Sequence, residues 1–492
     1  MGDAVADESI RLKDPKLFRS QAYVNGQWVG AEGGANLTVT NPATGKAIGT
    51  VPRMGAVETR RAIEAANAAL PAWSATLAKD RGRLLRKWFD LIIENTDDLA
   101  LIMTSEQGKP LAEARGEVIS GAAFIEWFAE EARRTYGETI PTPAKDRRVV
   151  VIKQPIGVCA AITPWNFPNT ILTRKVAAAL AAGCTIVVRP ASTTPYSALG
   201  LAELAHRAGI PPGVFSVVTG GSRDIGGEFT SNPIVRKLSF TGSTQVGGQL
   251  MAQAAGTIKK LALELGGNAP FIVFEDADID AAVVGAMGSK FRNVGQACVG
   301  ANRFYIHDKV YDTFVQKFLA EVGKLKVGNG ADAGVTVGPM HDMGGVEKTE
   351  EHIADALDKG GRLLAGGKRH SLGGTFFEPT VIGDVTAKMK VAREETFGPL
   401  APLFRFSDEK DLIRAANDTE FGLASYFYTR DHARVWRIAE ALEFGMVGVN
   451  VGLMASEVVP FGGIKESGTG REGSKYGIED YMEIKYICLA GM

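Results

Sequence analysis

The feature that most constrains this chain is a repeated switch between two hydrophobic periods over residues 155–265. VCAAITP, CTIVVRP, VFSVVTG, VRKLSFTG and KLALELGG are short apolar runs of strand length. Between them lie TRKVAAALAAG, YSALGLAELAHRAG, the helix start IGGEFTSN and GGQLMAQAA, whose apolar residues recur at helical spacing. Strand and helix in alternation predict a parallel sheet with helices on both faces, because each parallel return needs a crossover. The pattern resumes after residue 266 with APFIVFE, DIDAAVVGAMGSKFRN, ANRFYIH and VYDTFVQKFLAEVGKL, which predicts a second α/β unit.

The flanks read differently. Residues 20–55 are short strands and turns, with Asn25-Gly26 as a hairpin signal, and residues 56–136 are helical. RRVVVIKQ at 147–154 is a strand, and the tail DYMEIKYICLAGM alternates like an edge strand open to another subunit. A chain of 492 residues exceeds one ordinary core. The expected division is a Rossmann-like cofactor domain over 1–136 and 156–265, and a catalytic α/β domain over 266–477. A small β extension for oligomerisation is expected over 137–155 and 478–492.

Bulk properties exclude several classes. The 55 basic and 56 acidic side chains nearly cancel, which gives no charge surplus for nucleic acid or an anionic membrane. The most apolar run, Val176–Val188, falls short of the roughly 20 residues of a membrane span and suits a buried helix followed by a strand. The polar start has no leader pattern, and Ala6 stands where a myristoylation signal at Gly2 needs Ser or Thr. Cys159, Cys184, Cys298 and Cys488 are far apart, so neither a disulfide framework nor a metal site is expected, and a cytoplasmic setting is.

Four segments carry candidate chemistry. Cys298 sits in FRNVGQACVGANR among Asn293, Gly295, Gln296 and Gly300, between a helix and a strand. A turn there can present a nucleophilic sulfur to backbone N–H groups, although an inert buried thiol is the ordinary role of a lone cysteine. Glu264 ends an apolar strand, where a carboxylate of raised pKa can act as a general base; a solvated or capping Glu is the plainer alternative. Asn166, between the prolines of ITPWNFP, can donate its amide to an oxyanion or simply serve the turn. FTGSTQVGGQL places Gly242, Thr244 and Gly247 at a strand–helix junction fit for a pyrophosphate, without the usual GxGxxG spacing.

ITPWNFP, FTGS, LELGG, GQAC, EETFGP and PFGGIKESGTGREGSKYG occur in this order, and on them the chain resembles the aldehyde dehydrogenase superfamily over about residues 20–490. LELGGNAPFIVF, RKLSFTGST, EETFGPLAPLFRF and REGSKYGIEDYMEIKY look most similar to bacterial NADP-dependent succinate-semialdehyde dehydrogenases. The resemblance implies Cys298 as nucleophile, Asn166 and the Cys298 N–H as oxyanion donors, Glu264 as base, and Lys175 with Glu472 as a proton relay. It implies cofactor contacts at Thr163, Pro164, Trp165, Arg189, Ala191, Ser192, Gly242, Ser243, Leu265, Glu395 and Phe397. It further implies a semialdehyde carboxylate held by Arg174, Arg292 and Ser456, and a dimer or tetramer.

Departures from the family pattern adjust this. Ser192 replaces the Glu common in NAD-preferring members, and Arg189 replaces Lys; both favour NADP while leaving NAD open. Ala455 replaces a serine of the carboxylate site, with Ser456 beside it, which points to weaker binding or to a longer or different aldehyde. Gly300 replaces the second cysteine of a CVC redox switch. The leading expectation is oxidation of a carboxylate-bearing semialdehyde such as succinate semialdehyde. The alternatives are an uncharged or aromatic aldehyde, glutarate or 2-oxoglutarate semialdehyde, and a catalytically silent binding or scaffold protein.

Overall fold

The structure, a computed structural model, describes residues 10–491. The leader and Gly2 expectations concern the first nine residues, outside the described residues. Among the described residues no helix is long and apolar enough to cross a membrane, and no three His, Cys, Asp or Glu side chains are grouped to hold a metal.

The alternating region forms a parallel sheet. Its strands run in the spatial order Lys260–Glu264, Val235–Thr241, Val158–Ile162, Thr185–Arg189 and Phe215–Val217. The chain therefore starts in the middle, moves to one side, and returns to the other. That reversal makes a switch point between Val158–Ile162 and Val235–Thr241, where strand ends splay and a ligand crevice opens. The hairpin Ala22–Val24/Gln27–Val29 extends one edge, its Asn25-Gly26 turn joining the paired Val24 and Gln27. A two-residue strand from far along the chain, Gly468–Thr469, closes the other edge against Leu263 and Glu264. The apolar run splits as its residues dictate: Thr170–Ala182 is a helix with every residue buried, and Thr185–Arg189 is a buried strand.

The second α/β unit has seven strands. Their order is Arg362–Ala365, Thr380–Gly383, Leu400–Phe406, Ala301–His307, Ala269–Val273, Ala424–Tyr428 and Met446–Val449. All pairs are parallel except the one made by the edge strand Arg362–Ala365. Residues 56–131 form four helices, as their spacing predicts. Glu138–Ile140, Arg147–Pro155 and Met482–Ala490 make a separate antiparallel sheet, registered from Met482 opposite Pro155 to Ala490 opposite Arg147.

Candidate active site

The crevice at the switch point is bounded by the segments that leave the parallel strands. Thr163–Asn166 follow Val158–Ile162, Gly242 and Ser243 follow Val235–Thr241, and Leu265 follows Glu264. Beneath them lies a cavity of about 260 Å³ lined by Cys298, Glu264, Thr241, Arg174, Arg292 and Glu472, among others. The sulfur and the carboxylate, distant in sequence, thus share one enclosed space.

Cys298 is held by a loop of unusual backbone. After the helix Ile279–Phe291, Asn293 and Val294 both take φ of 52°. Left-handed backbone at two non-glycine residues, one β-branched, costs of order 1–3 kcal/mol each and persists only where neighbours impose it. Here the neighbours are explicit. Glu113 accepts the Asn293 N–H at 2.7 Å, and Gln107 Nε2 donates to Asn293 Oδ1 at 2.9 Å. Asn293 Nδ2 in turn donates to the Asn166 carbonyl at 3.0 Å. Two glycines are required by space: a Cβ on Gly295 would lie 2.2 Å from the Gly398 oxygen, and one on Gly267 2.3 Å from the Cys298 oxygen.

The electrostatics set the resting protonation. Burial pushes the Cys298 thiol up to about 12, with Glu395 and Glu264 adding to the shift and Arg174 opposing it. Cys298 therefore rests as a thiol and needs a base. Burial, then repulsion from Glu472, holds Glu264 well above the ordinary carboxylate range, and its Oε2 has no hydrogen-bond partner. A carboxyl held in this way takes up a proton more readily than an ordinary carboxylate, as a general base must. Asn166 is 4% exposed; its Nδ2 donates to the Gln296 carbonyl at 3.1 Å and its Oδ1 is unpartnered.

Two guanidinium groups face the same cavity. Arg174 lies between the rings of Phe124 and Phe461, at 4.8 and 4.2 Å. One of its nitrogens approaches Glu472 at 3.9 Å, and its buried Nε has no partner. Arg292 lies over Phe167 at 5.0 Å and, among the described residues, forms no ion pair. Glu472 is also ion-paired to Lys175, whose Nζ donates to Ser239 Oγ at 3.0 Å. Ser456 is the exception: it does not line the cavity. Its hydroxyl is drawn to the Glu457 carboxylate, to which it donates at 3.0 Å, and Ala455 takes the wall position instead.

The expected cofactor positions also converge on the crevice. Ser243 caps the helix Thr244–Ala254, leaving its N-terminus toward the strand ends. Gly242 N–H donates to the Glu264 carbonyl at 3.0 Å, and Leu265 N–H to the Ser467 carbonyl at 3.0 Å. Arg189 donates to Ser192 Oγ at 2.7 Å; its Nε is buried and unpartnered, and burial lowers its pKa to about 10. Ala191 is buried beside them, and Thr163 N–H donates to the Arg189 carbonyl at 3.1 Å, with Pro164 next in the chain. Across the crevice, Glu395 accepts the Gly267 N–H at 3.1 Å and is raised to about 7 by burial. Phe397, with φ of 56°, meets Trp165 edge-on at 5.8 Å.

A family model described as the aldehyde dehydrogenase family matches residues 28–487. The chain belongs to the aldehyde dehydrogenase family. A glutarate-semialdehyde dehydrogenase from Pseudomonas aeruginosa is 67% identical over 98% of this chain and 100% of that protein. An NADP(+) succinate-semialdehyde dehydrogenase from Escherichia coli is 64% identical over 98% of this chain and 100% of that protein. The crystal structure of succinate-semialdehyde dehydrogenase from Burkholderia pseudomallei superposes with a TM-score of 0.97 at 64% identity, covering 98% of this chain and 100% of that one.

The site of this aldehyde dehydrogenase also contains residues that its motifs did not reveal. Glu113 and Glu117 line the cavity from one face of the helix Leu111–Glu131, and Lys109 is ion-paired to Glu117 with both side chains buried. Lys109 Nζ donates to the Asn166 carbonyl at 2.7 Å, and Glu117 accepts the Asn169 N–H at 3.0 Å at the start of the Arg174 helix. The i, i+4 spacing of Glu113 and Glu117 was the available signal, but it is also that of any solvated helix face. His341 was likewise missed. Its ring stacks on Trp165 at 4.1 Å, and its backbone N–H donates to Gln296 Oε1 at 2.9 Å.

Proposed function

We propose that this enzyme oxidises a carboxylate-bearing semialdehyde, of the succinate or glutarate type, to the dicarboxylic acid with NADP(+) as hydride acceptor. The observation that carries the substrate class is the pair Arg174 and Arg292 in the cavity of Cys298 and Glu264. A buried guanidinium with an unpartnered Nε is stabilised by a ligand oxygen that completes its hydrogen bonds. The alternative of purely structural arginines does not account for Arg292, which has no ion-pair partner among the described residues.

In this reading Cys298 Sγ bonds to the aldehyde carbon, its proton leaving to a base or to water. Asn166 Nδ2 and the Cys298 N–H hold the resulting oxyanion, the amide turning from the Gln296 carbonyl. A nicotinamide held in the crevice would supply the hydride-accepting chemistry that converts this adduct to a thioester on Cys298. Glu264 then takes a proton from the water that attacks the thioester, and Glu472 with Lys175 receives it. The residues present fit NADP. Arg189 offers an unpartnered buried Nε beside Ser192, which has no carboxylate to repel a 2′-phosphate, and the helix after Ser243 faces a pyrophosphate. Thr163, Pro164, Trp165, Ala191, Gly242, Leu265, Glu395 and Phe397 frame the remainder.

Ala455 favours the five-carbon substrate over the four-carbon one, because a methyl group on that wall leaves more room and one fewer donor than a serine. The test is kcat/KM for succinate semialdehyde, glutarate semialdehyde and butanal. A preference for the charged substrates of about 10- to 100-fold is the worth of a charge-assisted hydrogen bond, and equal values overturn the reading. We take 1–136 and 156–265 as the cofactor unit, 266–477 as the catalytic unit, and 137–155 with 478–492 as the oligomerisation extension of a cytoplasmic enzyme. Met482–Ala490 supports the last assignment: its outer edge is unpaired in the sheet, while Ile484 is 74% and Tyr486 71% exposed. A second copy of the chain covers this edge in a dimer or tetramer, and a monomer by light scattering overturns that.

A further inference from the structure

The interior strand Val235–Thr241 breaks the rule for its place in the sheet. Interior parallel strands covered by helices are apolar on both faces. Leu238 and Phe240 obey, packing in the apolar core. The alternate residues Lys237, Ser239 and Thr241 share the other face and are polar, yet they are only 0%, 1% and 9% exposed. At about 3.3 Å per residue they form a file of about 13 Å.

Ser239 and Lys237 meet polar partners, and Thr241 lies beside Glu264. Thr241 is registered beside Glu264 and lines the cavity with it, and Thr241 Oγ1 and Glu264 Oε2 are both buried without partners. Next, Ser239 Oγ accepts from Lys175 Nζ at 3.0 Å, and Lys175 is ion-paired to Glu472. The buried Tyr481 hydroxyl faces Ser239, and the Tyr481 ring lies 4.7 Å from Lys237 Nζ. Lys237 reaches Asp480 at 3.4 Å, and the Asp480 side chain is 24% exposed. The file thus begins at the catalytic base and ends at solvent. Burial lowers the Lys237 pKa and raises that of Tyr481, so neither is locked in its charged form. Well-packed apolar residues in place of a buried ion pair are often neutral or stabilising, so packing alone does not explain the polar choice.

We propose that Ser239, Tyr481, Lys237 and Asp480 form a proton exit that continues beyond Glu472 and Lys175 and carries the proton taken up by Glu264 to the surface. The proposal rests on the dehydrogenase reading above. In acid release the water oxygen bonds to the thioester carbon and the C–S bond breaks. The sulfur leaves with the bonding pair as the Cys298 thiolate and takes the proton of the product acid to regain its resting thiol, and the water proton passes to Glu264. That proton moves to Glu472 and Lys175, then along the file to Asp480 and water. Glu264 is again ready to act, and no other reactant is consumed. These residues touch no substrate; they act through Glu264.

The test is rapid mixing of full-length wild type, Ser239→Ala, Tyr481→Phe and Lys237→Met with semialdehyde and NADP(+). The burst of reduced cofactor reads Cys298 chemistry, and quenched acid release reads the water step. Bursts close to wild type with acid release slowed about 10-fold or more and a larger solvent deuterium isotope effect on release support the exit. Recovery of release in Ser239→Thr, which keeps a hydroxyl, supports it further. Unchanged release in all three variants overturns it. So does a fall of burst and release together with thermal stability in Tyr481→Phe, the smallest change, since that is the mark of a structural role. Absence of a burst in the wild type instead sinks the dehydrogenase reading.

Discussion

The end of the strand Lys260–Glu264 and the loop leading to Cys298 face one cavity with opposite kinds of backbone. Glu264 is the last residue of a regular strand, in register with Thr241 on one side and Gly468 on the other. Cys298 precedes a strand and follows left-handed residues that have no partner strand. One group is placed by a ladder of backbone hydrogen bonds, which any sequence of suitable propensity makes. The other is placed by particular side chains, Gln107, Glu113 and Asn293, from distant parts of the chain. The base therefore depends on the sheet, and the nucleophile depends on a side-chain network.

The largest effect separates the two groups by step. Cys298→Ala is expected to abolish both the burst of reduced cofactor and acid release, by on the order of 10⁴-fold. Glu264→Gln is expected to retain a burst and to slow acid release by about 10²- to 10⁴-fold. The sign of the pH dependence follows from the raised pKa of Glu264: release rises with pH through a window above the ordinary carboxylate range, as the base ionises. That limb disappears in Glu264→Gln. A limb that survives in this variant contradicts the assignment.

An intermediate effect tests the loop's dependence on side chains. Asn293→Ala leaves the buried Gln107 amide without its partner, at about 1–3 kcal/mol for a buried group, and removes one of the two donors to the Asn166 carbonyl, Lys109 Nζ being the other. Its thermal midpoint and its burst rate are both expected to fall, because the same network sets the position of Cys298. A lowered midpoint with an unchanged burst rate shows that the loop holds its shape without Asn293. The smallest effect touches neither anchor. Ala455→Ser adds one neutral donor to the cavity wall, and kcat/KM for succinate semialdehyde is expected to rise about 2- to 12-fold relative to glutarate semialdehyde, the worth of about 0.5–1.5 kcal/mol. No change in that ratio removes Ala455 as a determinant of chain length.

Legibility in the sequence follows the same divide. The alternation over 155–265, the Asn25-Gly26 hairpin and the split of Val176–Val188 were readable, because local periodicity and turn chemistry decide them. The edge strand Gly468–Thr469 was not, since two residues carry no period. Cys298 and Glu264 stood out through short motifs that reflect tight backbone requirements, such as Gly267 beneath Cys298. Lys109, Glu113, Glu117 and His341 carried no such mark, being polar residues of ordinary spacing that matter only for what they meet. Ser456 seemed a substitute for the missing hydroxyl at Ala455, but neighbouring residues of a loop point different ways, and its hydroxyl is turned to Glu457.

By itself the sequence determined two α/β units, and a thiol and a carboxyl group suited to aldehyde oxidation. Those properties are carried by hydrophobic period and by the identity of single residues. Only the tertiary structure decided that Arg174 and Arg292 share the cavity of Cys298, that Ala455 rather than Ser456 forms its wall, and that Lys237, Ser239 and Thr241 lead from Glu264 toward the surface. These are relations between side chains far apart in the chain, and burial gives them their force: a charge or hydroxyl removed from water must find its partner wherever the fold brings one.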